Sequence, residues 1–154
     1  FLYTVNKSNV NTIRPLRYGY NFAVIGIKNM IYIYYHSHGD GIFFCNLFYY
    51  MAKVAGVRTV IVNGSAKGFG GIGGHVWIFA YINKKQGILL DPTWGAGGIS
   101  SADGKTFIKS KDCWEWFNVD PKSLIKTHFP EDESYQFLEK PVTLEEFTEN
   151  NYTN

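Results

Sequence analysis

Between Gly41 and Ala55, the residues Phe44, Leu47, Phe48, Met51 and Ala55 recur at steps of three and four, and Ile42, Phe43, Cys45 and Ala52 widen the apolar face. That spacing predicts a mostly buried helix, because a 3.6-residue turn gathers such positions on one side. Asp40 is placed to cap its start, and Gly56 to end it where a left-handed backbone costs little. Three strand-like runs follow, at 57–62, 75–82 and 88–91, rich in Val, Ile, Phe and Tyr, with a hairpin turn at 83–87 between the last two. Further on, Asp120 and Pro121 announce a short helix, and Thr143 with Glu146 offers a capping box for another. The dense apolar run from Phe22 to Tyr35 suits a strand or a helix equally. A central helix packed on an antiparallel sheet, with small C-terminal helices, predicts an α+β fold. Residues 1–20 read as an irregular lead-in, 21–140 as the domain, and 141–154 as a C-terminal helix and tail.

Composition narrows the class. A chain of 154 residues, 45% hydrophobic, 18% aromatic and 18% charged, can bury a single core without staples. A net charge of +2, with lysines scattered among acids, excludes the electrostatic footprint of a nucleic-acid binder. The apolar stretches 21–35 and 41–56 are broken by Lys28 and Lys53 and fall short of the ~20 residues of a membrane span, so both read as core. The start at Phe1, with no basic leader and cleavage site, suggests an excised or processed domain. Cys45 and Cys113 are too few for a disulfide scaffold. Asn-x-Ser/Thr strings at Asn6, Asn63 and Asn151 matter only on a eukaryotic secretory route. Compartment and oligomeric state are not written in the sequence.

Thiol acyl transfer needs a thiolate, a base that takes its proton, and an acid that fixes the tautomer of the base. A thiol at a helix start gains further from the amide dipoles there. A helix start at Asp40 and Gly41, His75 opening a strand and Asp91 closing the next give the order such a site requires.

At these residues the chain resembles the transglutaminase-like superfamily of papain-type thiol enzymes. The run from Gly41 through Met51 and Ala52 to Ala55, Gly56 and Val57 is similar to the family helix, in which a Cys is followed by an aromatic three residues on and a small residue four on. His75-Val76-Trp77 is similar to its His-Ala-Trp, and Leu90-Asp91-Pro92-Thr93-Trp94-Gly95, sixteen residues later, to its Asp-Pro-Thr-Trp-Gly. Val62 to Gly68 also matches, and Trp116 to Val119, Pro121, Thr127 to Asp132 and Gln136 to Leu138 are similar to a tail found in a subgroup. The resemblance covers residues 39–138 and implies a papain-like core with a Cys-His-Asp triad. Two members of that triad match, His75 and Asp91. Counted back from Gly56 without gaps, Gly41 occupies the nucleophile position and Cys45 the small-residue position, while Ile78 replaces the Asn after His-Ala-Trp. The resemblance then implies a member that has lost thiol chemistry: a scaffold, or a module that binds a protein or peptide in the old cleft. The alternative is an active cysteine protease or protein-glutamine acyltransferase using Cys45 with His75 and Asp91. One helical turn displaces that sulfur by ~5 Å, which counts against it.

Other strings lead elsewhere. Gly68-Phe69-Gly70-Gly71-Ile72-Gly73 fits the dinucleotide pattern, but a strand follows it where a phosphate-binding helix is required. A mobile loop beside the His75 cleft, with Gly70 and Gly71 lining it, is expected instead. Trp77 and Trp94 flank the triad positions and are expected to wall the groove. His36, His38 and Asp40 lack companions for a tetrahedral set, so no metal and no cofactor is expected. His128 reads as structural.

Overall fold

The computed structural model describes residues 42–149 apart from 69, 85 and 101. The lead-in, the 22–35 run, His36, His38, Asp40 and Gly41 lie outside the described residues, as do Asn6 and Asn151. Among those described, no helix is long and apolar enough to cross a membrane.

Helix α1 spans Ile42–Val54. It ends as the sequence predicts: Gly56 has φ 76°, its amide donates to the Lys53 carbonyl at 3.1 Å, and the Val57 amide donates to the Ala52 carbonyl at 2.8 Å. These bonds satisfy carbonyls that the last turn leaves open, in a left-handed closure suited to glycine. The buried stripe differs from expectation. Cys45 and Ala52 are the buried positions and Phe48 packs beside them, whereas Met51 is 63% exposed. Apolar residues surround this helix on several sides, so periodicity alone could not choose the face.

Strands β1 (Thr59–Gly68), β2 (Gly71–Tyr81) and β3 (Gly87–Leu90) form an antiparallel meander. Short β6 (Phe117–Val119) and β7 (His128–Pro130) extend it into a five-stranded sheet of order β6-β3-β2-β1-β7. The predicted turn between β2 and β3 forms, with the Ile82 amide donating to the Gln86 carbonyl at 2.9 Å. The glycine-rich stretch is not the loop expected of it. Pairing runs from Thr59 opposite Ala80 without a break to Gly68 opposite Gly71, leaving only the tip as a turn. Ladder bonds need no side chains, and the buried segment Val76–Ala80 fixes a register that the glycines then follow.

Alternation along β2 divides the core. Val76, Ile78 and Ala80 meet Cys45 and Leu90 under α1, while Trp77 and Phe79 meet Val62, Leu89 and Leu124 on the other side. Both faces are therefore covered, one by α1 and the other by the C-terminal third. That third contains α2 (Pro92–Ala96), a hairpin of β4 (Gly97–Ile99) and β5 (Phe107–Lys109), α3 (Pro121–Leu124), a 3-10 turn at Glu133–Gln136 and α4 (Leu144–Glu149). Both predicted caps are present. The Asp120 side chain accepts from the Lys122 amide, and Thr143 and Glu146 exchange the two bonds of a capping box. The Gln136 side chain ties both polar groups of Val142, and Lys67 donates to the Phe147 carbonyl while lying 4.4 Å over that buried ring. Cys45 is buried and Cys113 exposed, both as free thiols.

Candidate active site

Asp91 sits where β3 ends and α2 begins, and the same carboxylate serves two structures. Its Oδ1 accepts from the Thr93 amide at 2.8 Å and the Trp94 amide at 3.1 Å, capping α2 ahead of Pro92 at the first helical position. Its Oδ2 accepts from His75 Nε2 at 2.8 Å and from His128 Nε2 at 3.0 Å. The Asp-Pro string thus places a turn former and a histidine partner in one residue.

The sheet supplies the convergence. His75 lies opposite Gly64 on β1, and His128 lies opposite Ala66 on β1's other side. Trp77 and Trp94 present edges to His128, with centroids 5.1 and 4.5 Å away, and Trp94 lies 5.6 Å from His75. The His75 side chain is 11% exposed, whereas those of Asp91 and His128 are wholly buried. Water-poor surroundings strengthen each bond to the carboxylate.

Burial by itself would raise the Asp91 pKa, but hydrogen bonds from His128 and His75, with their charges, outweigh it and hold the group down to about 2. His128 is pushed down, chiefly by burial and against the pull of Asp91, so its ring is neutral near pH 7. A neutral ring that donates Nε2–H to Asp91 accepts at Nδ1, and the Thr127 hydroxyl lies 2.8 Å from that nitrogen. Because the Asp91 pKa is lower folded than unfolded, its stabilisation is present above about pH 4 and fades as pH falls through about 2; it amounts to about 2 kcal/mol. Urea unfolding at a series of pH values should show that loss in the wild type and a flatter profile in Asp91→Asn. Equal profiles would contradict the buried carboxylate.

Cys45 is brought near this group but is not joined to it. Its Sγ donates to the Val76 carbonyl at 3.2 Å, and the residue is 0% exposed. Burial, and secondarily the Asp91 charge, push the thiol up to about 12, opposed by a hydrogen bond with Thr93. No described residue hydrogen-bonds His75 Nδ1. Trp77 is 1% exposed and belongs to the core, not to a groove wall, whereas Trp94 is half-buried. Gly70 and Gly71 lie exposed at the β1–β2 tip, beyond His75.

His75, Asp91 and His128 offer ligand atoms within 4.8 Å of one another, a spacing that could hold a cation. Here both Nε2 atoms point their protons at Oδ2, so a metal would have to displace both. Two open cavities, of about 70 and 320 Å³, lie on the sheet face away from α1 around Phe79 and Phe137, and His75 and Asp91 line neither. The sequence marked His75 and Asp91, but missed His128 as a site member. The Thr127-to-Pro130 string drew notice, yet a separation of 37 residues gives no sign of a contact with Asp91.

A helix that lays a cysteine against the strand carrying His75, with the partnering aspartate just after the next strand, makes an α+β domain compatible with the papain-like, transglutaminase-like fold. Relatives agree. The chain is 33% identical to mouse kyphoscoliosis peptidase and 32% identical to the human protein, each over an alignment 118 positions long that covers 71% of this chain. These matches support a transglutaminase-like domain, and the matched region is 17% of each relative's length. No family model matches the chain.

Proposed function

We propose that this transglutaminase-like domain binds a protein or peptide segment at the His75–Asp91 face and performs no thiol catalysis. The observation that carries the proposal is the state of Cys45: fully buried and committed to the Val76 carbonyl, a setting whose burial pushes the thiol pKa up. Such a thiol stays protonated near pH 7, and the thiolate is the nucleophile. Gly41, at the position the resemblance gives to the nucleophile, has no side chain to attack with. His75 keeps its partner and would then serve as a hydrogen-bonding group for a bound chain.

The rival reading is an active cysteine protease or protein-glutamine acyltransferase using Cys45. The word peptidase in the relatives' name favours it, as does the intact His75–Asp91 pair. Iodoacetamide labelling of the native protein across pH, mapped by mass spectrometry, separates the two. The binding reading expects exposed Cys113 to label readily and Cys45 to resist; fast labelling of Cys45 below neutral pH sinks it. In Gly41→Cys, a new thiol that reacts at low pH and loses this on His75→Ala is expected. For the binding half, the immobilised domain should capture members of an unstructured decapeptide library. Equal capture by His75→Ala would remove the face from the proposal.

A further inference from the structure

We infer that His128 is a positioning residue: from the buried side it holds Asp91 Oδ2, so that the carboxylate faces His75 and the His75 ring keeps Nε2–H inward and turns Nδ1 away from the carboxylate. Neither the sequence pattern nor the family resemblance assigns it this part.

Four donors surround Asp91, two backbone amides on Oδ1 and two imidazoles on Oδ2. The amides belong to the first turn of α2 and fix one oxygen locally. The other oxygen depends on tertiary structure, because β2 brings one imidazole and β7 the other. With His75 alone, one side of Oδ2 would face the core with nothing to accept from, and a buried acceptor in that state is costly. His128 meets that need without competing for the outer face, since its side chain is wholly buried while His75 retains some exposure.

His128 is itself held at both ring nitrogens, by Asp91 at 3.0 Å and by the Thr127 hydroxyl at 2.8 Å. An imidazole chosen only to fill space would be replaced at lower cost by an apolar side chain, whereas one satisfied at both nitrogens has its orientation specified. Trp94 and Trp77 lie 4.5 and 5.1 Å away, edge to face, and limit its rotation. A fixed donor on Oδ2 fixes the direction of the second lone pair, which is where the His75 proton lies.

The inference takes His75 as the ligand-facing group, as the proposed function does, but its test reads the His75 ring directly and does not depend on thiol labelling. Imidazole ¹⁵N and proton NMR of the full chain should show His75 as a single Nε2–H tautomer with a slowly exchanging, far-downfield proton. In His128→Leu that proton should exchange about tenfold faster with water and the single-tautomer signature should be lost, the size expected when one charge-assisted bond to the carboxylate goes. His128→Gln, whose amide can donate to Oδ2, should restore slow exchange. If His128→Leu does not fold, Thr127→Val removes the hydroxyl while leaving the imidazole, and should loosen His75 in the same direction by a smaller factor. A folded His128→Leu in which His75 keeps its wild-type tautomer and exchange rate overturns the inference. So does a Thr127→Val that moves the His128 signals alone.

Discussion

Asp91→Ala is expected to lower the unfolding free energy by about 3–5 kcal/mol, the range for breaking a buried polar pair from one side. The carboxylate accepts from two imidazoles and two amides, and alanine leaves all four without their acceptor. Each imidazole N–H left without an acceptor costs about 1–3 kcal/mol, and loss of the α2 cap, which is the two amide bonds together, about 1 more. Asp91→Asn, of nearly the same shape, can serve the cap or the imidazoles but not both, so it should fall between the wild type and alanine. Urea denaturation measures all three. A loss below about 1 kcal/mol for alanine would mean that the two histidines do not rest on this group in solution.

Gly64→Ala should be nearly as damaging, for a reason of space. A Cβ there would stand 2.2 Å from the Phe129 carbonyl oxygen, 2.6 Å from Trp77 Cη2 and 2.9 Å from Pro130 Cα. Two of these atoms are backbone, so β7 would have to move away from β1, and His128 is on β7. The expected cost is about 3 kcal/mol, the upper end for overpacking a well-filled site. Loosening of His75, as in His128→Leu, should accompany it. Gly73→Ala is the control: its Cβ would meet nothing within 4 Å, and stability should stay within about 0.5 kcal/mol of the wild type. A Gly64→Ala protein that melts like the Gly73→Ala protein would contradict the close packing of β7 on β1.

Much of the fold could be read from local patterns because its causes are local. The left-handed stop at Gly56, the Asp120 cap and the Thr143–Glu146 box each depend on residues within a turn of one another. The hairpin that joins β2 to β3 was legible for the same reason. The buried stripe of α1 was misread because apolar residues occupy several sides of that helix. Only the sheet beneath decides that Cys45 and Ala52 turn inward while Met51 turns out. The glycines of β1 and β2 looked like a loop because glycine weakens a strand on its own, and it takes the buried pairing farther along the hairpin to override that preference.

The sequence by itself determined the α+β class, the stop of α1, the caps of two C-terminal helices and, through the family resemblance, His75 and Asp91 as partners, although β1 runs on to Gly68 and β2 begins at Gly71, ahead of His75. Tertiary structure alone decided that His128, 37 residues beyond Asp91, completes the carboxylate's shell, because β7 reaches β1 only through a non-local pairing that no nearby residue announces. It also set the state of Cys45, whose acidity depends on burial and on the Asp91 charge. Neither influence lies within a turn of the cysteine along the chain.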